Sequence, residues 1–113
     1  MSAAPHPVHV ELDGQAGILS MEWSDGVQTD YSLKYLRGWC PCAQCQGHFQ
    51  GIKKFIDHAD ATLLDVEPVG GYAMRLRWLD GHQSGIYTFK YLLEIYRSPP
   101  GGGMTNQEML LND

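Results

Sequence analysis

Two stretches decide the fold: WSDGVQTDYSLKYL, residues 23–36, and WLDGHQSGIYTFKYL, residues 78–92. Aligned with one extra residue in the second, they share Trp, Asp-Gly, Gln, a hydroxyl residue, Tyr, a second hydroxyl residue and a closing Lys-Tyr-Leu. Two copies are too few for a solenoid, so the repeat reads as one supersecondary unit used twice. Ahead of each Trp the chain alternates: Leu19, Met21, Trp23 in the first copy with Ser20 and Glu22 between, and Tyr72, Met74, Leu76, Trp78 in the second with Arg75 and Arg77 between. Period two predicts a half-buried strand. Asp-Gly then predicts a hairpin, with a return strand toward Tyr31 or Tyr87. Ser32 and Thr88 stand where helix N-caps are wanted, and Phe89, Leu92, Leu93 and Tyr96 follow at i, i+3, i+4 and i+7. Each unit is therefore a hairpin followed by a helix. Further strands are expected near Val8 to Leu12 and Thr62 to Val69, the latter closed by Pro68 and Gly70-Gly71. The fold class is α+β, with small antiparallel sheets from two hairpin–helix units.

The copies differ where the chemistry is. After Asp-Gly the first has Val27 and the second His82, while all three cysteines, Cys40, Cys42 and Cys45, follow the first copy's helix. A repeat keeps backbone and core alike, so an imidazole found in one copy alone marks a task that copy performs alone. Three thiolates from one unit and a histidine from the other suit tetrahedral zinc, with Zn–S at about 2.3 Å and Zn–N at about 2.0 Å. Cys42-Ala43-Gln44-Cys45 has C-x2-C spacing, and Pro41 stiffens the approach from Cys40. A disulfide framework is excluded by the odd count and by cysteines one residue apart. Buried small hydrophobes fit poorly with Gln44 and Pro41 in the run. A thioredoxin-type redox pair would need a βαβ setting that is missing from the pattern. An iron–sulfur cluster on the same ligands is the alternative cofactor and would make the chain a small iron–sulfur assembly or redox factor, and His48, three residues past Cys45, is the rival fourth ligand.

The pattern W-x-DG, LR-x-x-CPCAxC, then GGYAMRLRW-x-DGH-x-SGIY and a closing helix resembles the gamma-butyrobetaine hydroxylase-like N-terminal domain family, from about Ile18 to Tyr96. In the hydroxylases that give the family its name, the module precedes a 2-oxoglutarate- and iron-dependent oxygenase domain. There it binds zinc through three cysteines and a histidine. Transferred by motif, the resemblance implies Cys40, Cys42, Cys45 and His82 as ligands. Other members are fused to P-loop iron–sulfur carrier proteins, which implies a protein partner, a metalloenzyme or such a carrier. This sequence lacks the hydroxylases' catalytic half, so the expected role is a non-catalytic accessory domain.

The remaining features set bounds. At 113 residues the chain is read as one domain over 1–97, with a Pro/Gly-rich linker and tail over 98–113. The opening residues lack a basic region followed by an apolar run, and no run of about eighteen apolar residues occurs. The expectation is a cytoplasmic protein among reduced thiols. A net charge of -5 without any basic cluster argues against nucleic acid. His58-Ala59-Asp60 imitates the start of a non-haem iron facial triad, but an oxygenase barrel needs far more chain, so His58 is read as a loop residue. In the tail, Thr105 to Glu108 has capping-box spacing ahead of Met109-Leu110-Leu111. A solitary helix that short is unstable, so an unordered end is expected.

Overall fold

The computed structural model describes residues 5–41, 55, 61–80, 85–99 and 104–111. Strands β1 (Pro7–Asp13), β2 (Ile18–Trp23) and β3 (Gln28–Ser32) lead into helix α1 (Leu33–Gly38). Strands β4 (Leu63–Val69), β5 (Ala73–Trp78) and β6 (Ile86–Thr88) lead into α2 (Phe89–Arg97), and α3 (Asn106–Leu111) follows. The strands form two antiparallel sheets in the orders β1-β2-β3 and β4-β5-β6. The class is α+β, as expected.

The unit is larger than a hairpin and helix. Each hairpin carries an additional leading strand with the same defect. Pairing slips between Pro7 and His9 opposite Trp23, and between Leu63 and Asp65 opposite Trp78. The bulge leaves Val8 and Leu64 facing outward, both more than half exposed. β4 runs through Pro68 rather than stopping there, because it is an edge strand whose outer face needs no N–H donor. Tyr72 is not part of the inward row: it lies in the turn before β5 and is exposed.

Local chemistry explains the turns and caps. In the β2–β3 turn, Gly26 adopts φ +89, Trp23 and Val27 close the loop through Trp23 N–H to Val27 O at 2.9 Å, and Asp25 accepts from Val27 N–H at 3.1 Å. Ser32 Oγ accepts from Tyr35 N–H at 3.5 Å, and Thr88 Oγ1 accepts from Tyr91 N–H at 3.0 Å, so both expected N-caps form. α1 stops after six residues because Pro41 disfavours helical backbone at Cys40, whereas α2 continues for nine. Of α2, Leu92 and Ile95 are fully buried; Phe89, Leu93 and Tyr96 only flank the core.

One core joins the units. Leu19, Met21, Trp23, Tyr31, Tyr35 and Leu36 from the first pack with Leu76, Trp78, Tyr87, Leu92 and Ile95 from the second. Four tyrosines cross between them in two reciprocal pairs. Tyr31 OH donates to Leu92 O at 2.8 Å and Tyr87 OH to Leu36 O at 2.6 Å. Tyr35 OH donates to Ile95 O at 2.5 Å and Tyr91 OH to Trp39 O at 2.6 Å. In repeat register Tyr31 matches Tyr87, Tyr35 matches Tyr91, Leu36 matches Leu92 and Trp39 matches Ile95. Each unit's tyrosines thus donate to backbone carbonyls of the other unit's helix or of the residue just after it.

The tail departs from expectation. Residues 106–111 form α3, docked on β3 and α1. Asn106, fully buried, accepts from Ser32 N–H at 2.8 Å and donates to Asp30 O at 2.7 Å. The expected capping box is present, with Glu108 N–H to Thr105 Oγ1 at 3.2 Å and Thr105 N–H to Glu108 Oε1 at 3.2 Å. Length arguments for a solitary helix fail here because tertiary contacts, not propensity, hold it.

Candidate metal centre

Past the last turn of α1, Trp39 N–H bonds to Tyr35 O at 3.1 Å and Cys40 N–H to Arg37 O at 3.3 Å. This carries the chain inward, and both side chains are buried, Cys40 with no exposed surface. In repeat register Cys40 takes the place of Tyr96. Tyr96 packs edge-on against Tyr31 at 5.4 Å. Cys40, correspondingly, is a hydrogen-bonding neighbour of Tyr87, and its charge would also act on Tyr91. Burial first, and Cys40 second, push both phenols well above their ordinary range.

The second unit arrives at the same point from two sides. Asp80 Oδ2 accepts from Arg37 Nε at 3.0 Å and lies 3.0 Å from its Nη2, with the Arg37 side chain only 5% exposed. Gly85 packs against the thiol: a Cβ there would stand 2.9 Å from Cys40 Sγ and 3.2 Å from Tyr87 Cε1. Only glycine fits between them. Asp80 and Gly85, which stand on either side of positions 81–84 in the sequence, thus contact Arg37 and Cys40 at and just past the C-terminal end of α1.

Of the four expected ligands, Cys40 is described; Cys42, Cys45 and His82 lie outside the described residues, as do His48 and His58-Ala59-Asp60. Among the described residues no group of three or more His, Cys, Asp or Glu side chains is placed to hold a metal. Sequence reading missed Arg37, Asp80 and Gly85. Gly85 had a signal, being the one-residue insertion of the second copy. Arg37 and Asp80 had none, since their pairing depends on how the units meet. Trp23 Nε1 donates to Thr29 Oγ1 at 2.8 Å, whereas the buried Trp78 Nε1 has no acceptor among the described residues.

Two bulged β-β-β-α units, meeting where a buried cysteine of one packs on a glycine of the other, define a small two-copy α+β module. The sequence pattern of the family described as gamma-butyrobetaine hydroxylase-like, N-terminal, matches residues 10–93. The chain belongs to that family. The crystal structure of a protein of unknown function from Acidithiobacillus ferrooxidans, of the DUF971 family, is similar at 30% identity and TM-score 0.59, over 78% of this chain and 89% of that one. Two NMR solution structures are similar at 29% and 31% identity with TM-scores 0.69 and 0.61, covering 83% and 79% of this chain and 70% of each of theirs. No curated protein matches the chain. Among the described residues no helix is long and apolar enough to cross a membrane.

Proposed function

We propose that the chain is a zinc-binding accessory domain that acts by contact with another protein, a metalloenzyme or an iron–sulfur carrier, in the cytoplasm. Cys40, Cys42, Cys45 and His82 would hold the metal. The observation that supports this reading is the convergence on Cys40: Arg37 draws in Asp80, the thiol packs on Gly85, and His82 stands between these two in the sequence. The donor set fits. Thiolate and imidazole are zinc's preferred ligands, and four protein ligands close the coordination sphere. A closed site leaves no position for a substrate, which is why the domain is read as non-catalytic. Bound there, zinc would supply structural free energy, linking the end of α1 to the β5–β6 connection.

Elemental analysis of protein purified without added metal tests this. One zinc per chain is expected, with no visible absorption. Iron with acid-labile sulfide would replace zinc by a cluster on the same thiolates, and absence of any metal would end the proposal. Cys42→Ser should lose metal and thermal stability together, because binding and folding share free energy at such sites.

A further inference from the structure

The seat that α3 occupies in the first unit has a counterpart in the second. Asp30 O and Ser32 N–H, the two groups clamped by Asn106, point outward from the edge strand β3. In register, Ser20 faces Asp30 and Ile18 faces Ser32, just as Arg75 faces Ile86 and Ala73 faces Thr88. β6 is likewise an edge. Its bonds to the second sheet leave from Gly85, whose O accepts from Leu76 N–H at 3.2 Å, and the chain after it bonds through Phe89 N–H to Tyr72 O at 2.9 Å. Alternation along an antiparallel strand therefore turns Ile86 O and Thr88 N–H outward.

No described element lies across them. A cleft of about 320 Å³ is there instead, lined by Pro41, Ile86, Thr88, Lys90, Tyr91 and Glu94. The burial of the matched N-caps differs accordingly: Ser32 is 1% exposed, while Thr88 is only half-buried.

We propose that this cleft is a docking groove for a partner protein's short helical segment that opens with asparagine. Its carboxamide would clamp Thr88 N–H and Ile86 O, and an apolar side chain three residues later would cover Tyr91 and Pro41, as Met109 covers the first unit's core. The chain's own tail interface supplies the chemistry of the occupant. Pro41 directly follows Cys40, so the partner sits beside the start of the cysteine run. The proposal rests on the reading of the chain as an interaction domain but not on zinc, whose presence elemental analysis decides separately.

The probe is a synthetic peptide of residues 104–113, titrated into the intact chain, whose own α3 already fills the first seat, with backbone amide NMR as the readout. Shifts at Ile86, Thr88 and Tyr91 are expected, and an Asn106→Ala peptide should bind about tenfold more weakly for want of the two clamping bonds. Thr88→Pro should abolish binding: Thr88 has φ -68, which a proline ring adopts, and proline is tolerated on an edge while removing the N–H. Unchanged amides at millimolar peptide overturn the groove. So do shifts confined to Asp30 and Ser32, which would report exchange with the chain's own tail, and equal binding of the two peptides.

Discussion

The two units share strand order, bulge, N-caps and crossed tyrosines, yet they end differently. After α1 the first turns inward at Trp39 and Cys40, while the second continues its helix through Tyr96 to Arg97. Asp25 in the first hairpin serves only its own turn. Asp80, its match, reaches Arg37 of the other unit. What the repeat conserves is architecture. Its departures gather at one end of the molecule, around Cys40, and the functional reading comes from those departures rather than from the shared frame.

The comparison can be broken most severely at the hairpin turns. His82→Val gives the second copy the first copy's residue, so fold should survive while zinc affinity falls by about two orders of magnitude or more; competition with a chelator reads it. His48→Ala should leave affinity nearly unchanged. The opposite pair of results would make His48 the ligand.

Next come the matched aspartates. Asp80→Asn strips a nearly buried guanidinium of its charged partner and should cost about 2 kcal/mol, less than a fully buried pair because Asp80 is 29% exposed. Asp25→Asn, exposed in its turn, should cost under about 0.5 kcal/mol. Denaturant unfolding of both variants checks the asymmetry, and equal losses would remove Arg37–Asp80 from the account.

The tyrosines sharpen the symmetric side. Tyr31→Phe and Tyr87→Phe each remove one buried hydroxyl bond to the other unit's helix, at Leu92 O or Leu36 O, and each should cost about 1 kcal/mol. A large difference between them would mean that the crossing is not reciprocal in energy.

The smallest effect at neutral pH is the alkaline one. Burial raises Tyr31, Tyr87 and Tyr91 well above the ordinary phenol range and Tyr35 to about 12. An unfolded tyrosine ionises near about pH 10. The folded state therefore holds these protons more tightly. The associated stability is complete below about pH 10 and is lost as pH rises through the folded values. Alkaline unfolding should coincide with tyrosinate absorbance, and ionisation of all tyrosines at pH 10 without unfolding would contradict it.

How far this was legible varies by element. The hairpins, both N-caps and the α+β class followed from matched residues and period-two alternation. β1 and β4 were recognised as strands but not as matched parts of the unit, since PVHVELD and LLDVEPV share little beyond Val-Glu. Alternation carried too far admitted Tyr72, because a turn can continue a strand's pattern without its pairing. α3 escaped a rule about isolated helices: one buried carboxamide on Asp30 and Ser32 lies 74 or more residues away in sequence, beyond any local signal. At the site, burial of Cys40 and its contact with Gly85 bear on one expected ligand, while Cys42, Cys45 and His82 lie outside the described residues.

The crossed hydroxyls have a consequence for how the chain holds together. Each half lends its tyrosine hydroxyls to carbonyls of the other half's helix region, so each stands to the other as one subunit of an isologous dimer stands to its mate, fused here into a single polypeptide. Such halves have no finished state apart. Unfolding should be one all-or-none event rather than two, and a chain cleaved between α1 and β4 should remain a non-covalent pair until both pieces melt together.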